Sequence, residues 1–353
     1  MTIHFAYAVP HRLSNRYINR LWNAYGQISR TKRGFPQLYR YGWMPFLPQP
    51  LSAPFSITVH LHKFLHEHVS TKLYDWEENG SIKLNEADVI LGHPHPNPNT
   101  IVQKTILDNR KCRAKALIFP IHHAIASINE FTLPLIERSD IVFAIMGRYW
   151  HETLDGSMFA PWKNKITRLD MAIDTRQYPK LKEHFNLPGR RGYLFIGNNR
   201  PEKGCEILGE TMGRLRNYPK GWIGEGPEIP NIQRIARYST LTPEFMSLIV
   251  EKFDFFVNTS VSDANPATIL EAMAWGFPVA CTPQSGYHNI PSIVQLSTQD
   301  ITANADTLSE LQYAPEEYLL ELSDGNRDMV EKHYTWGRFC QTVWRGLKPF
   351  IQE

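Results

Sequence analysis

Asp254-Phe255-Phe256-Val257-Asn258-Thr259-Ser260-Val261-Ser262-Asp263-Ala264-Asn265-Pro266-Ala267-Thr268-Ile269-Leu270-Glu271-Ala272-Met273-Ala274-Trp275-Gly276-Phe277-Pro278-Val279 passes through strand, loop, helix and strand in one run. Phe255 to Val257 is continuously apolar, as in a strand buried on both faces, and the polar residues that follow break the pattern. Pro266 suits a helix start, an apolar run continues from Thr268 to Trp275, and Gly276 stops it before Pro278-Val279 opens the next strand. That order belongs to a parallel sheet with crossover helices. Asp263 stands in the loop before the helix, and Glu271 about one turn past the helix start. Ionised carboxylates accept hydrogen bonds from sugar hydroxyls, so two placed this way can hold two ends of one ligand. Backbone N–H groups of Asn265, Ala267 and Thr268, on either side of Pro266, can donate to phosphate or hydroxyl oxygens. The bland alternative makes Asp263 a helix cap and Glu271 a solvent-facing helix residue.

Upstream, Tyr193-Leu194-Phe195-Ile196-Gly197-Asn198-Asn199-Arg200-Pro201-Glu202-Lys203-Gly204 is a strand that ends at Gly197, a short loop carrying Arg200 and Lys203, and a glycine opening a helix. Glycine permits close backbone approach, a helix start offers unpaired N–H groups, and lysine or arginine supplies full charge, a combination suited to a diphosphate. A solvated surface loop is the competing reading. Lys220-Gly221-Trp222-Ile223-Gly224-Glu225-Gly226-Pro227-Glu228 runs a strand into a tight turn at Gly224 and Gly226, where backbone can lie against a flat ligand such as a nucleobase. Alone, that turn reads equally well as structural.

Further out, short apolar runs alternate with longer amphipathic stretches along the whole chain. Strands are predicted at Ile3–Val9, Ser56–His60, Asp88–Gly92, Ala116–Ile121, Ile141–Met146 and Lys165–Leu169, then at Gly192–Gly197, Lys220–Gly224, Asp254–Thr259 and Val279–Thr282. Helices are predicted at Gly204–Arg216, Pro243–Lys252 and Thr268–Trp275, with Tyr178–Arg191 as a linker and Arg30–Pro54 as an irregular insertion. With 353 residues, two domains are expected. The fold class predicted is α/β, two Rossmann-like domains with parallel sheets facing a central cleft. The boundaries read as 1–180, 181–332 and a C-terminal helix over 333–353.

Charge adds one asymmetry. No Asp or Glu precedes Glu67, whereas Arg12, Arg16, Arg20, Arg30, Lys32, Arg33, Arg40 and Lys63 fall in that stretch among many aromatics. A basic, aromatic surface suits an anionic membrane face or an anionic acceptor; the alternative is a solvated face over a core. No nucleic-acid recognition motif accompanies it, so nucleic acid is not expected as a partner. Four separated cysteines without a C-x-x-C pair suit a reducing compartment, and nothing reaches the ~20 apolar residues of a membrane span. The expected location is cytoplasmic, with peripheral contact at the inner membrane face as an option. His62 and His66, four apart, lack completing carboxylate or cysteine ligands, so no metal site is expected.

Taken as a set between Tyr193 and Thr282, these segments resemble the retaining GT-B glycosyltransferases of family four, glycosyl transferases group 1. That family carries a G-R-L-x-P-E-K-G loop, a G-x-G-P-E turn, and two glutamates inside E-x-x-x-P-x-x-x-L-E-A-M-A-x-G-x-P-V, in this order. The resemblance implies transfer of a hexosyl unit from a nucleotide-sugar donor to a saccharide or lipid-linked acceptor, with retention and without an essential metal or other cofactor. It implies that Lys203 binds the donor diphosphate with Gly197, Asn198 and Arg200 around it, and that Gly224 and Gly226 lie against the base. Glu271 would then take the ribose hydroxyls, Asp263 the transferred sugar, and Asn265 to Thr268 the sugar and phosphate. His122, after the strand Ala116–Ile121, matches a histidine facing the donor sugar, with His123 beside it. His93 and His95 stand at the acceptor side, with Glu130 and Arg148 as further options. The C-terminal run His333–Lys348 would return to the first domain.

Two positions depart from the pattern. Asn198 replaces the usual arginine, and Asp263 shortens the first glutamate by one methylene. Both leave a catalytically degenerate sugar-nucleotide-binding relative as an alternative. A nucleotide-sugar epimerase of the same fold and a membrane- or polymer-binding module remain the other readings.

Overall fold

The computed structural model describes residues 1–9, 51–108, 111–125, 130–215, 217–237 and 241–351. The basic run from Arg12 to Arg40 and most of the predicted insertion lie outside the described residues. Cα packing separates the chain into two compact units. The first is Met1–Phe119, Phe131–Phe143 and Cys340–Glu353, and the second is Pro120–Glu130 and Ala144–Phe339.

Twelve strands form two six-stranded sheets among the described residues. β1 (Ile3–Tyr7), β2 (Thr71–Asp75), β3 (Val89–Gly92), β4 (Ala114–Pro120), β5 (Ile141–Ile145) and β6 (Ile166–Leu169) make one, in the order β2-β1-β3-β4-β5-β6. β7 (Tyr193–Ile196), β8 (Lys220–Ile223), β9 (Gln233–Ala236), β10 (Phe255–Asn258), β11 (Val279–Cys281) and β12 (Ile293–Gln295) make the other, in the order β12-β11-β10-β7-β8-β9. β1 pairs parallel with β2 and β3, and β7 parallel with β8 and β10. β1, β3, β7, β10 and β11 are buried at every residue. Unbroken burial is what a parallel strand covered on both faces requires, and it explains why these strands were legible as apolar runs. The α/β architecture of two parallel sheets is therefore as expected.

Among the described residues the α-helices are α1 (Ala53–His68), α2 (Ile101–Asp108), α3 (Leu133–Arg138), α4 (Arg148–Glu152), α5 (Cys205–Arg214), α6 (Pro243–Lys252), α7 (Ala267–Trp275), α8 (Ile301–Tyr313), α9 (Glu316–His333) and α10 (Trp336–Ile351). One predicted strand is overturned: Ser56–His60 lies inside α1. Its β-branched core, Ile57-Thr58-Val59, favours a strand locally, but the buried set Ile57, Thr58, Leu61, His62 and Leu65 recurs at helical spacing, and Pro54 sits in the first turn. Three strands were not predicted. β2 alternates in burial, β9 is a polar edge strand, and β12 is only three residues long.

His62 and His66 of α1 both reach the Thr71 hydroxyl, at 2.9 and 3.1 Å. Burial draws the His62 pKa down to about 4, which keeps that ring neutral. Among the described residues no group of three His, Cys, Asp or Glu is placed to hold a metal ion, and no helix is long and apolar enough to cross a membrane. All four cysteines are free. His93 and His95 follow β3 in the first unit, where the His93 ring packs edge-on to Tyr7 and Trp76 at centroid distances of 5.1 and 4.4 Å.

Candidate donor-binding site

β7 leaves the sheet at Gly197, and its loop lies directly on the loop after β8. The Gly197 carbonyl accepts the Trp222 indole N–H at 2.7 Å, and a Cβ on Gly224 would stand 1.9 Å from that same oxygen. Only glycine fits there. The Asn198 side-chain carbonyl accepts the backbone N–H of Glu225 at 3.0 Å, and Asn199 N–H donates to the Glu225 carbonyl at 2.7 Å. The residue that replaces the expected arginine thus ties two loops together. Arg234 stacks over Trp222, 4.2 Å from its ring centroid, and donates to the Gly226 carbonyl at 2.6 Å. Arg200 is exposed.

Pro201–Lys203 makes one 3₁₀ turn, and Gly204 then takes φ +60° before α5 begins. A Cβ at 204 would lie 2.1 Å from the Thr259 carbonyl oxygen, so left-handed backbone and close approach both demand glycine. The turn aims Lys203 at the loop after β10, where its ammonium forms an ion pair with the Asp263 carboxylate. Each side chain is about one-fifth exposed or less, at 20% and 16%.

The loop carrying Asp263 is pinned by its backbone. Val261 and Ser262 N–H both donate to the Glu202 carbonyl, at 3.0 and 3.1 Å. Asp263 N–H donates to the Gln284 carbonyl at 3.0 Å, and the Ala264 carbonyl accepts Gly147 N–H at 2.8 Å. The Asp263 carbonyl accepts the indole N–H of buried Trp150 at 2.6 Å. His122 Nδ1 lies 2.8 Å from the Ser262 hydroxyl. Burial lowers the His122 pKa and Lys203 adds to the lowering, while Asp263 and Glu202 oppose it, so the ring is a neutral hydrogen-bonding group. His123 turns elsewhere, to the Thr153 hydroxyl at 2.9 Å and the edge of Trp150. Arg148, on α4, pairs with Glu152 one turn away.

Asn265 is buried, accepts Met171 N–H at 2.6 Å through Oδ1, and has no partner for its Nδ2. Pro266 precedes α7 without any side-chain cap, while its carbonyl accepts the Tyr287 hydroxyl at 3.0 Å. Ala267 and Thr268 are half-buried at that uncapped start. A buried amide donor without a partner and an uncapped helix start are groups that the oxygens of a ligand can satisfy. Glu271 is half-buried one turn on, with the Tyr178 hydroxyl 3.4 Å from its carboxylate. Burial pushes its pKa up to about 7, against a smaller pull downward from Tyr178.

The structure therefore brings together Lys203, Asp263, Ser262 and His122, places Asn265 to Thr268 and Glu271 on the next element of the same unit, and directs Asn198 and His123 to other partners. Sequence reasoning passed over Trp150, Ser262 and Tyr178. The only signal for Trp150 was its place in an aromatic pair just after a strand and a glycine.

Residues 190–314 match the model of the family Glycosyl transferases group 1. Among curated proteins, a sucrose synthase of Acidithiobacillus caldus is 24% identical over 163 residues, covering 43% of this chain and 19% of that one. A sulfoquinovosyl transferase of Arabidopsis thaliana is 24% identical over 154 residues, covering 42% of this chain and 27% of that one. This chain thus spans about a fifth to a quarter of the length of those relatives. The solved sucrose-phosphate synthase of Thermosynechococcus elongatus superposes with a TM-score of 0.60 at 12% identity, over 99% of both chains. The fold is that of the GT-B glycosyltransferases, and the segment 190–314, which holds Lys203, Asp263 and Glu271, is a match to glycosyl transferases group 1.

Proposed function

We propose that this protein is a glycosyltransferase that takes a hexosyl unit from a nucleoside-diphosphate sugar and passes it to a saccharide or lipid-linked acceptor with retention. The observation that carries the reading is the Lys203–Asp263 ion pair, set in the segment similar to group 1 glycosyl transferases. In the same loop and the helix after it, Asn265 and the start of α7 offer donors without partners. The donor diphosphate takes Lys203, with Arg200 as a second cation, and Asp263 is freed to accept hydroxyls of the sugar. Glu271 accepts the ribose hydroxyls. The neutral His122 ring hydrogen-bonds the sugar, and preorganised N–H groups and Lys203 stabilise charge growing on the leaving diphosphate. No protein nucleophile is invoked: the acceptor oxygen bonds to the anomeric carbon on the face from which the diphosphate departs as the sugar–phosphate bond breaks, and the departing diphosphate takes the acceptor's proton.

Thermal-shift measurements with UDP-, GDP-, ADP- and dTDP-sugars test the donor reading. A specific ligand at a hundredfold excess over its Kd adds ~2.7 kcal/mol of stability, which singles out the right base and sugar. Lys203→Ala and Glu271→Ala are expected to abolish the shift. Variants that respond like the parent would overturn the assignment. Because Asn198 is spent on the Glu225 backbone, a second reading is binding without transfer. It predicts a donor-induced shift with no nucleotide released in any acceptor screen.

A further inference from the structure

We infer that Trp150 is a positioning residue for the sugar half of the donor, holding Asp263 through its backbone while Lys203 holds it through its side chain; this rests on the donor reading above. Trp150 is 2% exposed, so its ring alone is accounted for by packing, and phenylalanine would keep an aromatic ring there while filling less of the space. Its N–H is another matter. It donates at 2.6 Å to the carbonyl of the one residue whose carboxylate is paired to Lys203. Trp150 also lies at the centre of the neighbouring ring contacts. Its centroid is 4.9 Å from His123 and 6.5 Å from His122, and His122 in turn meets Ser262, the residue before Asp263.

The segment that carries Trp150 is fixed once more to the same loop and once to the residue that holds Asp263 N–H. Gly147 N–H donates to Ala264, just after Asp263, and the Gln284 side-chain amide donates to the Tyr149 hydroxyl at 3.3 Å. Gln284 is also the residue whose carbonyl receives Asp263 N–H. Two segments, 147–150 and 284, therefore clamp the loop 262–264 around Asp263, and Trp150 supplies the only side-chain donor to its backbone among the described contacts. The contact fixes where the carboxylate can reach once a diphosphate has taken Lys203. Its bearing on the diphosphate, whose partners are Lys203, Arg200 and backbone, runs only through the Lys203–Asp263 pair, and loosening that pair does not weaken diphosphate binding. The consequence is a selective one: loss of the indole N–H weakens recognition of the sugar and does not weaken recognition of the nucleoside diphosphate.

Isothermal titration tests this with matched pairs: UDP and UDP-glucose, GDP and GDP-mannose, ADP and ADP-glucose, dTDP and dTDP-glucose. For the pair the parent binds, Trp150→Phe is expected to weaken the nucleotide-sugar on the order of tenfold, the scale of one hydrogen bond, with nucleoside diphosphate affinity not weakened. Equal loss for both, or loss for neither, overturns the positioning role and leaves the donor reading standing. A parent that binds none of the eight overturns both. Should Trp150→Phe fail to fold, the ¹⁵N-indole resonance of Trp150 in the parent gives the second measurement. It is expected to move further with the nucleotide-sugar than with the nucleoside diphosphate, and equal shifts, or a resonance unmoved by either, overturn the inference.

Discussion

Lys203 and Asp263, sixty positions apart in the chain, neutralise each other at the mouths of two neighbouring strands. In the donor reading each partner of this pair has a different ligand group to serve, so binding must first part them. A partly exposed pair is worth ~0.2–1 kcal/mol, and parting it costs the ligand about that much. Asp263→Ala is therefore expected to bind a nucleoside diphosphate up to about fivefold more tightly than the parent, while the attached sugar adds nothing. Titration calorimetry with the two ligands reads both effects. Unchanged or weaker diphosphate binding would contradict the competition.

Glu271 gives a pH signature. Its folded pKa of about 7 lies above the ordinary carboxyl value of 4.5, so the folded protein holds a proton that the unfolded chain has lost. The stability tied to that proton is complete below about 4.5 and is lost as pH rises through about 7. Glu271→Gln removes this dependence. Its melting temperature is expected to match the parent's in acid and to exceed it above pH 7, on the order of 2 °C. Donor binding has the opposite slope, since ribose hydroxyls need an ionised acceptor, and should strengthen in the parent as pH rises through that value. Parallel melting curves across pH for the two proteins would refute this account.

Gly204→Ala combines a left-handed φ with a Cβ set against the Thr259 carbonyl oxygen. A backbone clash cannot relax as a flexible side chain does, so a loss above ~2 kcal/mol is expected in urea denaturation, with the donor response lost too. Gly156→Ala is the control: no atom lies within 4 Å of its Cβ, and its φ is not positive. Its stability is expected within ~0.5 kcal/mol of the parent.

Asn198 tests whether the departure from the family pattern is a structural exchange. Asn198→Ala leaves the Glu225 N–H without its acceptor and is expected to cost ~1 kcal/mol. Asn198→Arg restores the expected cation but cannot accept that bond, so it should lose a similar amount by the same denaturation measurement. An arginine variant as stable as the parent would show that the stitch between the loops is dispensable.

Much of this was readable from sequence where one physical signal dominated. The strands around β7 and β10 announced themselves because burial on both faces leaves no polar alternation, and α6 was bounded correctly by Pro243 and Lys252. Order along the chain also put Lys203, Asp263 and Glu271 in one segment. Pairings were beyond reach. That Trp150 donates to Asp263, 113 residues away, depends on which distant loops the second unit packs together. Asn198 read as a lost cation, because its acceptor role exists only where Glu225 comes alongside. The β-branched run Ile57-Thr58-Val59 misled for the opposite reason, a local preference overruled by the apolar period of the longer helix.

The carbonyl of Gly197 lying against Gly224 limits how variants of this chain can be made. A library aimed at new ligands would naturally randomise both strand exits, yet most members with any side chain at 224 would be lost to misfolding before selection saw them. Productive diversity has to enter at Arg200, Glu225 and Pro227, positions that already carry side chains at or near the surface.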